Sequence, residues 1–506
     1  MDKQPWETYD AGQLQTPEFE SYPVGRKDGI FGGVLLLLSF LLWNCLLFAG
    51  ANLGFAVAAV GCILCSALYL HCSGHRVSGY SGGLLLLSLS ITAGFARSDD
   101  SFVKFVCVCF LLVSTNLALC LMAGQNRRDA GSVRSLLDAP RAVLRLGVGD
   151  SPQVFRGLKA AFRRSGDVGK KGSAFLLGLV IALPVIALML PLLIRADAAF
   201  DGLMALLPEF EFSEFFATVL FGTACGCVLF VRGVALHRAP KAPAATRRLR
   251  GISEITVNTV LGAVALLYGV YLLSQLAYFS GGFAGILPEE YTLAEYARRG
   301  FFEMAMLSGG NLLVMVLGLG LVSKEKKAPI ATRLLCLFVG IVTLFLIATA
   351  SAKMFLYIGS YGLTRLRVLT QIIMLFLAVT TLTVSVWLFV PKLQYMKVVL
   401  LVALLLGSAV LWTDVDTQVA NYNVNAYLSG QLENVDVSYL YRLGNGAVPA
   451  LARLAEESPN DRVALAAKNY MQQKLAQMPE GDIRDWNYVN HKAVSYGDKA
   501  NPSPTN

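Results

Sequence analysis

Long apolar runs separated by short polar segments fill the first 412 residues of the chain. Most of these runs reach about 18 residues, the length that crosses a bilayer as an α-helix. Pro184 and Pro191 predict a kink in the fifth run, because each removes a backbone hydrogen bond. The runs predict eleven membrane spans, at residues 30–49, 52–71, 81–96, 102–123, 173–194, 213–232, 256–279, 301–322, 334–356, 368–390 and 396–412.

The pattern becomes amphipathic after the last run. Apolar residues recur there at a spacing of three and four, which predicts two or three short helices. These residues are Val448, Leu451, Leu454, Val463, Ala466, Ala467 and Tyr470. Asn460 or Asp461 is expected to cap the second helix. A tail of fewer than a hundred residues has a small core of its own, so we expect it to dock on the outer face of the bundle.

Lys and Arg residues alternate between the two sides of the predicted spans. If the N-terminus is cytoplasmic, 27 of the 43 Lys and Arg residues belong to inner segments and seven to outer loops. Basic residues accumulate on the cytoplasmic side of membrane proteins. The pattern therefore predicts an all-α polytopic membrane protein with its N-terminus inside and its C-terminus outside.

Five segments follow from this topology: a cytoplasmic N-terminal tail, a four-helix leader, a basic cytoplasmic loop, a seven-helix core and an extracytoplasmic helical tail. They comprise residues 1–29, 30–123, 124–172, 173–412 and 413–506. The loop 124–172 carries 11 basic and 4 acidic residues. It fits either amphipathic helices on anionic lipid of the inner leaflet or a plain helical hairpin packed on the bundle.

Composition supports a membrane protein, because 55% of the residues are hydrophobic and only 15% are charged. Soluble proteins carry about a quarter charged residues. The net charge of +9 follows from the topology and does not indicate a nucleic-acid partner. The ten cysteines lie in or at the ends of apolar runs, where they act as small apolar side chains and form no disulfide framework. The polar residues 1–28 lack the basic region of a cleaved signal peptide, so the first run is expected to remain as an anchor.

Signatures of soluble enzymes are missing, including the phosphate-binding glycine loop and the zinc motif H-E-x-x-H. The segment "HCSGH" at 71–75 lacks a fourth ligand nearby and is interpreted as interfacial histidine. No metal or cofactor is expected. An acidic pair in an early outer loop is a feature of multi-span glycosyltransferases, but Asp99 and Asp100 are interpreted as solvated surface acids.

A charged group is predicted at the outer ends of spans eight to ten. Glu295, Arg299 and Glu303 are four residues apart in "TLAEYARRGFFEMAML", so they share one helix face. The candidate outer-face site consists of Glu295, Arg298, Arg299, Glu303, Lys353, Arg365 and Arg367. It is either an ion-pair network that orients the helices or a site for an anionic headgroup or polymer. The first interpretation is preferred, because ion pairs alone do not mark chemistry.

Four amides are predicted near the membrane midplane: Asn258, Gln275, Asn311 and Gln371. Buried polar residues in spans are candidates for a transport pathway. The segment "LSGGN" at 307–311 fits close helix packing or, less well, a broken helix that exposes carbonyl groups to a ligand.

Four segments carry a resemblance to a known family: "LPEEYTLAEYARRGFFEM", "MFLYIGSYGLTRLR", "NYNVNAYLSG" and "DVSYLYRLGNGAVPALARL". Together they resemble the bacterial integral-membrane family called domain of unknown function 4173, with its 4153 relatives, over residues 250–455. The later "DIRDWNYVNHKA" also resembles that family's tail. The matching positions are Glu295, Tyr296, Arg298, Gly300, Phe301, Glu303, Tyr361, Gly362, Thr364, Arg365, Asn423, Pro449 and Trp486.

The resemblance implies a bacterial plasma-membrane protein and brings no catalytic assignment. We expect a non-enzymatic envelope sensor, scaffold or accessory subunit, whose partners are the bilayer and an envelope protein. A transporter or flippase for an amphipathic or anionic substrate is the first alternative. A membrane enzyme acting on a lipid-linked substrate is the second.

Overall fold

The computed structural model describes residues 22–126, 151–156, 212–240, 253–283, 301–321, 329–478 and 482–500, with isolated positions between 140 and 196. Regular secondary structure in these ranges is entirely helical. The helices are α1 (Arg26–Asn44, continued by a π-helical turn Cys45–Ala49), α2 (Leu53–Cys72), α3 (Gly79–Gly94), α4 (Ser101–Ala123), α5 (Phe212–Arg238), α6 (Glu254–Phe283), α7 (Phe301–Leu321), α8 (Ile330–Tyr361), α9 (Arg365–Phe389), α10 (Tyr395–Thr413), α11 (Val415–Leu428), α12 (Val437–Arg442), α13 (Val448–Glu457), α14 (Asp461–Ala476) and α15 (Tyr488–Ala500).

Ten of the eleven predicted spans correspond to these helices. Within the described ranges, eight helices are long and apolar enough to cross a membrane, namely α1 with its π-helical turn, α2, α4, α5, α6, α8, α9 and α10. Helix α3 and the stretch Glu303–Leu319 of α7 are apolar but shorter. The predicted fifth span at 173–194, with its two prolines, lies outside the described residues except for isolated positions.

Helices α1 and α5 pack closely along a face of small residues. Gly222, Gly226 and Gly233 of α5 lie against Phe40, Leu36 and Phe31 of α1. A Cβ atom at Gly226 would lie 2.9 Å from Leu36 Cδ1, so only glycine fits there without a shift. Close approach over small residues is how helices associate in lipid. Helices predicted as parts of a leader and of a core therefore pack on each other.

A second group of membrane helices surrounds α8, which packs on α6, α7 and α9. Helix α2 instead packs on α1, α3 and α4. The turn between α8 and α9 is short and passes through Gly362, whose φ of +73° is strained for residues with a side chain. These two helices are neighbours, as their short connection predicted. Helix α10 packs on α3, α4 and α9, and so joins the two groups of helices.

The tail forms helices α11 to α15, which dock on one end of the bundle. The Leu363 amide donates to Asn423 Oδ1 at 2.7 Å, and the amide of Tyr488 donates to the Ala96 carbonyl at 2.9 Å. Asn460 caps α14 by accepting from the Arg462 amide at 3.0 Å, which confirms the predicted cap. The predicted docking is thus confirmed, whereas the side of the membrane on which it occurs stays a prediction.

The opposite end of the bundle carries a separate polar group. The Asp28 carboxylate accepts from the Tyr69 hydroxyl at 2.7 Å and from Arg238 at 3.1 Å, which joins α1, α2 and α5. His75 Nε2 lies 3.1 Å from His237 Nδ1. His71 and Cys72 are exposed, so the residues of "HCSGH" do not converge on a common point.

Candidate functional site: the docking cluster

The predicted outer-face residues are only partly brought together. Glu295, Arg298 and Arg299 lie outside the described residues. Glu303 is exposed in the first turn of α7, and Lys353 is half-buried in α8.

Arg367 is held by its own turn. Its guanidinium donates to the carbonyl oxygens of Tyr361, at 3.2 Å, and of Gly362. It also lies over the ring of Tyr357, 4.2 Å from the centroid. These contacts fix the α8–α9 turn without involving the tail.

Arg365 instead joins the bundle to the tail. Its Nε donates to Asp416 Oδ1 at 2.7 Å and lies 3.2 Å from Asp100 Oδ2, and its Nη2 bonds to Asp416 Oδ2. Asp416 belongs to α11 of the tail, whereas Asp100 caps α4 by accepting from the Val103 amide at 3.0 Å. Both carboxylates are almost fully buried, with side-chain exposures of 2% and 5%. Arg365 is therefore the cation between two buried acids on different elements.

Asp414 and Asp99 lie in the same group. Asp414 caps α11 by accepting from Thr417, and its φ of +48° is unusual for a residue with a side chain. Asp99 Oδ2 accepts from the Asn445 amide at 3.3 Å. Acidic side chains at helix N-termini satisfy backbone N–H groups that have no partner within the helix.

Two lysines supply further positive charge. Lys474 of α14 is 8% exposed and donates to the Leu443 carbonyl at 2.6 Å, and Lys104 of α4 donates to Asn52 Oδ1 at 2.7 Å. We call the group at this junction the docking cluster. It comprises Asp99, Asp100, Lys104, Arg365, Asp414, Asp416 and Lys474.

The glycines of "LGNGAVP" allow the tail to approach these acids. The Gly444 amide donates to Asp416 Oδ2 at 2.7 Å, and a Cβ atom at Gly444 would lie 2.9 Å from the same oxygen. A Cβ atom at Gly446 would lie 2.6 Å from Asp414 Oδ2. A side chain at either position would therefore push the turn away from the carboxylates.

Three of the four motifs that carry the family resemblance meet at this junction. Asn423 of "NYNVNAYLSG" forms two hydrogen bonds with the backbone of Leu363, which lies in the "YGLTRLR" turn. The Arg365 amide donates to the hydroxyl of Tyr439, from "DVSYLYRLGNGAVPALARL", at 2.9 Å. These contacts give the motif residues a role in holding the tail on the bundle. Of the remaining motif, 287–304, only the last residues are described.

Burial changes the protonation of the acids in the cluster. Desolvation raises the pKa of Asp99 and Asp414, and nearby Asp416 raises both further. The Asn445 amide, Lys104 and Lys474 act in the opposite direction on the pKa of Asp99. Burial also lowers the pKa of Lys474, against the influence of Asp99 and Asp416. The cluster therefore favours fewer charges than its residues would carry in water.

We expect docking of the tail to strengthen on mild acidification. Asp99 and Asp414 have raised pKa values when folded, so the folded state binds protons more tightly than the unfolded state. Their contribution to stability is fully present below the unfolded pKa and is lost as pH rises through the folded pKa. Each tenfold difference in proton affinity between the two states corresponds to about 1.4 kcal/mol. The thermal midpoint of the protein in lipid nanodiscs, measured at pH 5 and pH 7.5, tests this.

The matched variant is Asp99→Asn, which keeps an oxygen for the Asn445 amide but cannot titrate. The difference between the two midpoints should shrink in this variant. An unchanged difference would contradict a contribution from Asp99.

The interpretation of Asp99 and Asp100 as solvated surface acids is wrong. Asp100 is 7% exposed and Asp99 is half-buried, because the tail covers both. Their local sequence resembles a surface turn, whereas their partners Arg365 and Asn445 lie more than 250 positions away. A local pattern does not show contacts with such distant residues.

Three of the four predicted midplane amides are bonded between helices. Asn311 accepts from the Tyr268 hydroxyl at 2.6 Å and donates to Thr343 at 3.0 Å, which joins α6, α7 and α8. Asn258 accepts from Thr332 at 2.6 Å, and Gln371 donates to the Ser351 carbonyl at 3.2 Å. The side chain of Gln275 lies outside the described residues. These amides act as links between helices, which removes the basis for a cavity that they line.

Helix α7 runs without a break through "LSGGN". Among the described residues, nothing lies within 4 Å of a Cβ atom placed at Gly309 or Gly310. The helix is therefore not broken at these glycines, and they do not pack closely on any described part of the chain. Ser308 and Asn311 of the same segment are buried and hydrogen-bonded.

Two polar features went unrecognised in the sequence. Asp414 and Asp416 in "TDVDT" follow directly after the last apolar run, and acids at that boundary were the available signal. Arg232 of α5 is only 6% exposed and bonds to Asn116 of α4. It is the last residue of the predicted sixth span, at the predicted inner end, where a basic residue is ordinary.

The chemistry open to the docking cluster is charge pairing and proton binding. Within the described part of the chain, no three His, Cys, Asp or Glu side chains are arranged to hold a metal ion. The carboxylates already accept hydrogen bonds from helix N-termini, from the 444–445 turn and from Arg365. Such an arrangement fixes elements relative to one another.

Comparison with known proteins agrees with the resemblance and extends it. The model of the family described as domain of unknown function (DUF4153) matches residues 82–454. The match begins well before residue 250 and includes the two acids of the α3–α4 turn, but it ends before α14 and α15. No curated protein and no solved structure matches the chain. Since the family model covers more than half of its 506 residues, the chain belongs to the DUF4153 family of domains of unknown function.

Proposed function

We propose that this protein is a non-enzymatic scaffold or accessory subunit of the bacterial plasma membrane, with its tail on the outer side. The observation that carries the proposal is the contact of Arg365 with Asp100 and Asp416. A charge pair buried between separate elements favours one relative orientation of those elements. The membrane helices thus hold the tail as a fixed platform on which an envelope protein docks.

The surroundings of this contact favour the same role. The described amides in the spans are used to join helices, and the family motifs join the tail to the bundle. The excess of Lys and Arg in the inner segments supports the proposed orientation. The bilayer surrounds the spans, and the basic loop 124–172 is proposed to contact anionic lipid of the inner leaflet.

The test is purification of the full-length protein through an affinity tag placed after Asn506. The tag should be labelled by an impermeant reagent on intact spheroplasts, and one envelope protein should co-purify at a stoichiometric amount. That amount should fall by at least about tenfold in Arg365→Gln, since an expected loss of about 2–4 kcal/mol of docking energy exceeds the 1.4 kcal/mol that corresponds to a factor of ten. It should stay unchanged in Arg367→Gln, whose side chain bonds to its own turn and lies over Tyr357. A partner retained equally by both variants, or none at all, would refute the proposal.

A membrane enzyme is the second candidate, because Asp99 is half-buried and its pKa is raised. Both properties suit a general acid or base. The Asp99→Asn variant separates the two proposals. If it reproduces the phenotype of a gene deletion while the partner still co-purifies, the enzyme is favoured. If the phenotype is normal, the enzyme is excluded.

A further inference from the structure

The segment between α14 and α15 lies alongside the membrane helices at the level of their last turns. Its 3₁₀ turn, Ile483–Asp485, contacts both α2 and the π-helical turn that ends the first span. Arg484 Nη1 donates to Asn44 Oδ1 at 2.6 Å. Asn44 lies five residues before the end of that span at Ala49, which is about 7 Å along a helix. The Arg484 side chain therefore reaches back to a level inside the span.

The backbone of the segment is fixed at this depth by α2. The Leu53 amide donates to the Trp486 carbonyl at 3.1 Å, and Asn52 Nδ2 donates to Asp485 Oδ1 at 2.8 Å. A Cβ atom at Gly54 would lie 3.1 Å from the Arg484 carbonyl oxygen and 3.2 Å from its Cα. Gly54 is the second residue of α2, so the segment packs directly on the first turn of a membrane span.

Two apolar side chains of the segment are exposed, beside the partly accessible ion pair of Arg484 and Asp482. Ile483 is 78% exposed and Trp486 is 37% exposed. The adjoining π-helical turn exposes Leu46, Leu47 and Phe48, which belong to a membrane span. The apolar surface of the segment is thus continuous with the lipid-facing surface of α1.

The charges of the segment are neutralised locally. Arg484 pairs with Asp482, at 2.5 Å between Nη2 and Oδ2, and Asp485 accepts from Asn52. An apolar surface with paired charges and a tryptophan suits the boundary between lipid headgroups and acyl chains.

We propose that residues 482–486 form an interfacial anchor, which places Ile483 and Trp486 in the lipid of the leaflet on which the tail docks. The partner is the phospholipid bilayer, and the anchor attaches the C-terminal end of the tail to the α1–α2 hairpin. Neither element falls inside the family match at 82–454. The anchor is independent of the scaffold role, because it requires only that the tail be docked.

The test places the photoreactive residue p-benzoylphenylalanine at position 483 of the full-length chain, in membranes that contain radiolabelled phospholipid. Position 47 is the lipid-facing reference. Position 465 is the matched control, because Leu465 is 61% exposed on α14, a helix packed on other tail helices. The thermal midpoint of each variant verifies folding, since all three side chains are exposed.

Phospholipid adducts at position 483 should match those at position 47 and exceed those at position 465 about tenfold, as expected for an apolar side chain transferred from water to lipid. Lipid labelling no higher than at position 465 would overturn the anchor. Adducts at position 483 mainly to a second copy of the chain or to another protein would overturn it as well, in favour of a protein interface.

Discussion

Replacing Arg365 by Gln weakens docking of the tail by about 2–4 kcal/mol, because two buried carboxylates lose their common cation. The range allows for the partial exposure of the guanidinium, whose side chain is 33% accessible, and for the backbone amides that Asp100 and Asp416 retain. Amide hydrogen exchange in α12 and the 445–447 turn measures the loss. Exchange there should accelerate about 30- to 1000-fold, the factor that corresponds to this energy.

The control is Arg367→Gln, two residues along the same helix. Arg367 bonds to carbonyl oxygens of the α8–α9 turn and lies over Tyr357. The Arg367→Gln substitution should change the free energy of opening of the tail, as measured by hydrogen exchange, by less than about 1 kcal/mol. Equal effects of the two variants would show that the helix end matters and the charge pair does not.

A double variant tests the coupling directly. Combining Arg365→Gln with Asp416→Asn removes the cation and also one of the buried carboxylates that it would leave unpaired. The double variant should therefore recover part of the docking free energy that Arg365→Gln alone loses. Residues in direct contact show coupling energies of about 0.5–3 kcal/mol. Additive losses would mean that Arg365 and Asp416 act independently, which contradicts the proposed platform.

The membrane fold is largely predictable because hydropathy is a local property. A run of apolar residues must form a helix in lipid whatever lies elsewhere in the chain. Runs such as 396–412 therefore correspond closely to observed helices, in this case Tyr395–Thr413. The same holds for the tail, where Val448, Leu451 and Leu454 face its core as their spacing predicted.

The contacts of the docking cluster could not be predicted from local patterns. The sequence pattern groups Arg365 with the charges nearest to it along the chain and in the adjacent spans, such as Glu303. Its carboxylate partners, Asp100 and Asp416, lie 265 positions before it and 51 positions after it. An ion pair between distant elements produces no periodic pattern in the sequence. Each of its residues, taken alone, resembles a charged residue at the solvated end of a helix. The family motifs located the right region, but they do not state what the residues bind.

The midplane amides illustrate the same limit. A single Asn in a span indicates that a polar group must find a partner in the membrane. Whether that partner is a substrate or a neighbouring helix depends on the packing of α6, α7 and α8. Tyr268 donates a hydrogen bond to the Asn311 side chain, and Thr343 accepts one from it, so the buried amide needs no ligand as a partner.

Replacing Asn487 by Leu should detach the C-terminal helix α15 from the bundle. The free energy of its docking should fall by about 2–3 kcal/mol, because buried backbone groups lose their hydrogen-bond partner. Asn487 is 1% exposed and joins three elements. Its Nδ2 donates to the Ser98 carbonyl at 2.6 Å and to Asn52 Oδ1 at 3.3 Å, and its Oδ1 accepts from the Val489 amide at 2.9 Å. Leucine has a similar volume but satisfies none of these groups. Hydrogen exchange in α15 and the α1–α2 turn is the measurement.

The matched control is Asn490→Leu, three residues further on, in the first turn of α15. Asn490 is half-buried and accepts one hydrogen bond from Asn445 Nδ2 at 3.1 Å. Losing this hydrogen bond should lower the free energy of docking by about 1 kcal/mol or less.

The elements in which exchange accelerates are as informative as the size of the acceleration. Arg365→Gln should release α12 and the 445–447 turn, whereas Asn487→Leu should release α15 and leave α12 protected. If both variants accelerate exchange throughout the tail equally, the tail undocks as one cooperative unit, and the two attachments are not energetically separate.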